Sequence, residues 1–193
     1  MSEQGNILFS GVGGQGILLA SEVMAYSLLA AGFDAKKSEV HGMAQRGGSV
    51  TAQLRYGSRV YSPLIEPGTA DIQISFERME AVRYLPYLHK ESKVIVNSQQ
   101  ILPPAVASGG MDYPEDVLAG ITDLGIDVYE IDAFALAREV GEVKAANVVM
   151  VGAASHFLPM EPSVYEEVIE TRVPERFREV NLKAFKAGRE TIT

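Results

Sequence analysis

The chain has 193 residues, 47% of them hydrophobic, with 17 Lys+Arg against 25 Asp+Glu for a net charge of −8, and it contains no cysteine. A chain of this length buries roughly 70% of the surface its unfolded form exposes, so residues 1–193 are expected to fold as one domain without disulfides or a structural metal. Zero cysteine excludes an iron–sulfur cluster, a thiolate zinc site or a catalytic thiol in this polypeptide, and the acid excess argues against a nucleic-acid binder, which needs clustered Lys and Arg.

The first ten residues, MSEQGNILFS, carry no basic segment before their apolar run, so no signal peptide is expected. Ile17 to Ala31, the longest apolar stretch, is interrupted by Ser21, Glu22 and Ser27 and falls short of a membrane span, so the expected location is the cytoplasm. Charge is unevenly placed. Residues 1–65 carry Lys36, Lys37, Arg46, Arg55 and Arg59 against four acids, while the remainder is strongly acidic.

In chain order, Asn6 to Ser10 reads as a buried strand entering a tight turn at Gly11. Ile17 to Ala31 has helical length, is polar only along Glu22 and Tyr26, and ends at Gly32, so it is expected to be covered by the sheet and by another chain. Phe33 to Val40 reads as a second strand. Ser49 to Tyr56 and Arg59 to Ser62 flank Gly57-Ser58 as the arms of a β-hairpin. Ala70 to Phe76 is a strand, Met79 to Leu88 a helix with His89 at its end, and Lys93 to Asn97 a central strand. Pro103-Pro104 and Gly109-Gly110 mark a loop, followed by a helix over 114–124 and a strand over 127–131. Helices are expected near 133–140, 145–158, 163–169 and 174–187, with Asp112 and Ser163 as caps. The sum is a three-layer α/β/α domain with a mixed, mostly parallel sheet, Rossmann-like in its first βαβ, with a hairpin insertion and a helical C-terminal region.

Gly11-Val12-Gly13-Gly14-Gln15-Gly16 lies between the first strand and first helix, where G-x-G-x-x-G belongs. Two readings stand side by side: free N–H groups at a helix N-terminus holding an anion or phosphate, and a glycine turn needed only for close helix–sheet packing. A dinucleotide fits less well, because Glu39 is followed by His41-Gly42-Met43-Ala44-Gln45-Arg46-Gly47-Gly48 and not by a crossover helix. That second glycine segment, with Lys36 and Lys37 near it, is read as a site or interface that completes an anion-binding cleft against the first loop. Catalytic groups are not gathered anywhere. His41, His89 and His156 have no metal-ligand spacing, no residue sits on a nucleophile elbow, His156 reads as a core or interface histidine, and Glu166, Glu167 and Glu170 read as a solvated helix face.

GVGGQGILLASEV, KSEVHGMAQRGGSV, YSPLI and ADIQISFE together closely resemble the gamma subunit, or gamma domain, of 2-oxoacid:ferredoxin oxidoreductases, and SEVHGMAQRGG is most like the indolepyruvate-linked small subunits. The resemblance implies a part of an enzyme, with the fold of the third domain of pyruvate:ferredoxin oxidoreductase. It implies an oxidative decarboxylation in which thiamine diphosphate, magnesium and iron–sulfur clusters reside in large alpha/beta partner subunits, coenzyme A enters at the interface, and ferredoxin accepts the electrons. No catalytic residue and no metal are assigned to this chain. The matching positions, Gly11, Gly13, Gly14, Gln15, Gly16, Glu39, His41, Gln45, Arg46, Gly47 and Gly48, are expected to face the cofactor-bearing subunit or the coenzyme A entrance. A stand-alone NAD(P)- or FAD-binding oxidoreductase and a nucleotide-sensing scaffold are the other readings.

Overall fold

The computed structural model describes residues 4–41, 48–102, 106, 109–110, 112–114 and 116–192. Strands are β1 (Gly5–Val12), β2 (Asp34–His41), β3 (Ser49–Gly57), β4 (Ala70–Ser75), β5 (Leu88–Asn97) and β6 (Asp127–Ile131). Helices are α1 (Ile17–Ala30), α2 (Arg78–Arg83), α3 (Ala119–Thr122), α4 (Ala133–Glu139), α5 (Ala146–Ala154), α6 (Pro162–Arg172) and α7 (Glu175–Arg189).

The sheet order is β2-β3-β1-β4-β5-β6, with β3 antiparallel to both neighbours and the pairs β1–β4, β4–β5 and β5–β6 parallel. Central strands are apolar on both faces because both faces are covered: Ile7, Leu8 and Phe9 of β1 and Val94, Ile95 and Val96 of β5 are fully buried. The cover is unequal. One face carries α1, α4, α5, α6 and α7 over Ile7, Phe9, Leu54, Ile74 and Ile95. The other carries α2 and α3 over Leu8, Val94 and Val96.

The expected mixed sheet and helical C-terminal region are present, and the hairpin insertion has different arms. β3 pairs along its length with the preceding strand β2, and Arg59 to Ser62 is not a strand. Asp34 explains the difference. Its carboxylate accepts the Val60 N–H at 2.8 Å and pairs with Lys36 at 3.0 Å, turning the chain after Gly57 away from the sheet. β3 thereby lies between β1 and β2, so the first βαβ joins parallel strands that are not hydrogen-bonded neighbours.

Other expectations shift at element ends. The helix expected from Met79 stops at Arg83, and a 3₁₀ turn at Leu85–Tyr87 leads into β5, which places His89 on a strand. The helix over 114–124 shortens to Ala119–Thr122, so Asp112 caps nothing. Glu161 precedes Pro162 at the start of α6, so Ser163 is inside the helix. The segment 145–158 holds α5 between two 3₁₀ turns, and His156 is exposed, with Nε2 2.7 Å from the Arg189 carbonyl oxygen. Glu167 and Glu170 do lie exposed on α6. Among the described residues no helix is long and apolar enough to cross a membrane.

Candidate functional site

α1 leaves β1 on the broad helical face, α2 leaves β4 on the other, and β1 and β4 are neighbours. Their carboxyl ends therefore form the topological switch point where α/β sheets bind ligands. The two glycine segments meet there. Gly11 and Val12 end β1 opposite Val50 and Ser49, and the Gly13 N–H donates to the Gly48 carbonyl at 2.9 Å.

Gln15 decides what this crevice can do. Its Oε1 accepts the Val12 N–H at 2.7 Å, and its Nε2 donates to the Phe76 carbonyl at 2.8 Å and to Gln99 Oε1 at 2.7 Å. One side chain joins the ends of β1, β4 and β5, filling the switch point from inside. The Val12 and Gly13 amides, which a phosphate cradle would offer to a ligand, already have protein acceptors. Gly11 is needed because a Cβ there would lie 2.7 Å from Gln15 Oε1 and 2.9 Å from Phe76 Cβ. Gly16 is needed for another reason: it starts α1 at φ 80°, and a Cβ would lie 2.5 Å from Asn147 Nδ2, so it packs on α5 and not on the strand.

The outer surface of the loop is open. Gly14 is exposed at φ 105°. A cleft of about 410 Å³ lies beside Gly13, Gly14, Leu18 and Val50, and another of about 350 Å³ beside Gln15, Leu19, Phe134, Lys144 and Asn147. A third, almost wholly apolar and about 250 Å³, shares Leu19, Lys144 and Asn147 and continues to Val173, Pro174 and Phe177.

The cations expected nearby are engaged elsewhere. Lys37 ion-pairs with Glu39 and lies 3.9 Å from Glu22 on α1, while Lys36 pairs with Asp34 far along β2. Glu39 is also a full strand farther from β1 than a ribose-binding acid requires, because β3 intervenes. His41 ends β2 opposite Val50. Gln45, Arg46 and Gly47 lie outside the described residues.

Sequence reasoning missed the buried carboxylates behind the loop. Glu77 caps α2 by accepting the Glu80 N–H at 3.0 Å, and it also accepts the Ile101 N–H and the Tyr113 hydroxyl at 2.9 Å. Glu80 accepts from Ser49 Oγ at 2.5 Å and from Arg83 at 2.9 Å, anchoring the start of β3. The visible signal was an acid directly after an apolar strand, followed three residues later by another. Burial, and then the hydrogen bond to Glu77, hold the Tyr113 phenol well above its ordinary range. Glu77→Gln keeps an acceptor and removes the charge, so Tyr113 should ionise at lower pH in ultraviolet titration while staying above a free tyrosine. An unchanged titration would show that burial alone holds it.

These features define an α/β domain whose ligand crevice is closed by its own side chain and whose glycine surface faces outward. The chain matches the family described as "Pyruvate ferredoxin/flavodoxin oxidoreductase" over residues 6–191 and belongs to that family. It is 41% identical over 188 residues to "Indolepyruvate oxidoreductase subunit IorB" of Thermococcus kodakarensis, covering 95% of this chain and 93% of that relative. Its fold resembles the gamma subunit of a keto/oxoacid ferredoxin oxidoreductase from Geobacter sulfurreducens, with TM-score 0.72, 24% identity and 96% of each chain covered. It also resembles 2-oxoglutarate:ferredoxin oxidoreductase from Magnetococcus marinus, with TM-score 0.76 and 20% identity, where 99% of this chain corresponds to 31% of a longer one.

Proposed function

We propose that this chain is the gamma-type small subunit of a 2-oxoacid:ferredoxin oxidoreductase acting on indolepyruvate or a related aryl-pyruvate. The observation that carries the reading is the 41% identity to an indolepyruvate oxidoreductase subunit over nearly the full length of both chains. The geometry agrees with a supporting role. The glycine loop is braced from inside by Gln15 and presents its open backbone outward.

With no cysteine, the chain has no thiolate for an iron–sulfur cluster. On the family reading, thiamine diphosphate, magnesium and the clusters belong to large alpha/beta partner subunits, with ferredoxin as acceptor of the assembled enzyme. Gly13, Gly14 and Gly16, with Gly48 beside them, are the surface offered to that partner. Coenzyme A fits the clefts beside them, where an open backbone adjoins the apolar walls of Leu19 and Phe134. Cytoplasmic location follows from the same assignment.

Purified alone, the chain should give no heat with NAD, NADP or FAD in calorimetric titration, and it should co-purify from its native host with a large cysteine-containing subunit. Micromolar dinucleotide binding would overturn the reading in favour of a stand-alone oxidoreductase.

A further inference from the structure

A further cleft lies at the opposite end of the sheet from the glycine loop, at the amino ends of β1 and β4. It encloses about 540 Å³, and its lining includes Asn6, Arg55, Arg59, Thr69, Asp71 and His89. We propose that it is a binding site for a small anion bearing a phosphate or carboxylate group.

Two guanidinium groups line this cleft. In a chain of net charge −8, carboxylates are abundant, and Lys36, Lys37, Arg78 and Lys93 each sit against one. Arg55 and Arg59 line one concavity, and among the described residues neither has a carboxylate oxygen within ion-pair distance. Arg55 Nε donates to the neutral Asn6 Oδ1 at 2.9 Å, and its Nη1 is shared between the Ser62 and Leu64 carbonyls at 3.3 Å each. These contacts orient the planar fork without neutralising it. Arg59 stacks its guanidinium over the Tyr61 ring at 5.1 Å.

Asp71, the one carboxylate in the lining, is turned to other partners. Its Oδ2 accepts the Asn6 N–H at 2.7 Å, and its Oδ1 lies 3.7 Å from His89 Nε2. The Glu91 N–H donates to His89 Nδ1 at 3.2 Å, so a neutral His89 carries its proton on Nε2, the nitrogen beside Asp71. The cleft thus presents two permanent cations around a space large enough for a small metabolite, with the local acid partly satisfied by His89 and the Asn6 N–H.

The test uses amide spectra of the full 193-residue chain titrated with inorganic phosphate, pyrophosphate and citrate, against chloride at matched ionic strength. Saturable shifts are expected at Asn6, Thr69 and His89, with binding weakened about tenfold or more by Arg59→Gln or Arg55→Gln. Arg59 is exposed, so its variant should fold even if Arg55→Gln does not. Asp71→Asn, which removes the repelling charge, should strengthen binding severalfold. A response to the phosphates alone, or to citrate alone, supports the site and identifies the head group. Shifts equal to those of chloride, shifts retained in Arg59→Gln, or shifts confined to the glycine loop would overturn it.

Discussion

Gly152→Val should cost about 3–5 kcal/mol of stability, a large part of what holds a domain of this size together. Gly152 lies where a second backbone approaches closely, and that backbone is the chain's own last helix. A Cβ on Gly152 would lie 2.1 Å from the Phe185 carbonyl oxygen, and one on Gly188 would lie 2.0 Å from the Val149 carbonyl oxygen. α5 and α7 therefore meet backbone to backbone. Any side chain at either glycine forces the helices apart and breaks the contacts of Met150, Phe185 and Tyr165 that fill the core beneath. Thermal unfolding followed by circular dichroism checks this, with Gly120→Ala as the comparison. Gly120 lies on α3 with open space around its Cβ position, so that change should be neutral or stabilising by about 0.5 kcal/mol. Equal melting temperatures for the two variants would contradict the close crossing.

Gln15→Ala is expected to have the next largest effect. It leaves the Val12 N–H without its acceptor and Gln99 Oε1 without its donor, and leaves the Phe76 carbonyl only the longer bond from Asn97 Nδ2 at 3.3 Å, in a partly buried site. Three such losses amount to about 2–4 kcal/mol, or roughly 4–16 °C in melting temperature. The more informative readout is assembly. Gln15 shapes the turn from inside, so Gly13 and Gly14 should be presented wrongly, and affinity for the large subunit should fall even at temperatures where the variant is fully folded. Asn97→Ala is the control. It removes bonds to the Phe76 carbonyl and the Ala133 N–H behind the crevice, so it should lower stability while sparing assembly. If both variants weaken assembly in proportion to their stability loss, Gln15 has only a structural role.

The parts of the fold that were legible in the sequence are those where local pattern and tertiary environment agree. β1 and β5 are apolar runs because helices cover both their faces, and the long first helix is apolar where Ala20, Val23, Met24 and Leu28 pack into the core, while Leu18 and Leu29 are exposed. Strand order was not legible. Nothing in Ser49 to Tyr56 distinguishes pairing with a following arm from insertion between β1 and β2, since that choice rests on Asp34 binding Val60 across 26 residues. The short turn at 155–157 escaped because Ser155-His156-Phe157 continues the helical pattern while the chain tightens, whereas Pro86 is a visible signal that the helix from 79 ends before it.

At the candidate site, the glycines were legible and the reason for them was not. A G-x-G-x-x-G signature looks the same whether its amides await a phosphate or are already bound. Here the discriminating residue, Gln15, sits inside the motif, and its partners are 61 and 84 residues away. Lys36 and Lys37 misled for the same reason: as neighbours on a strand they point to opposite faces, and each met its own carboxylate.

The central claim is that this chain is a subunit without chemistry of its own. Its most direct measurement is 2-oxo-acid- and coenzyme-A-dependent reduction of ferredoxin by the chain alone, by its co-encoded large subunit alone, and by the two co-expressed. Full turnover with an aryl-pyruvate is expected only from the co-expressed pair. Turnover by the isolated chain, or a large subunit equally active without it, would contradict the account.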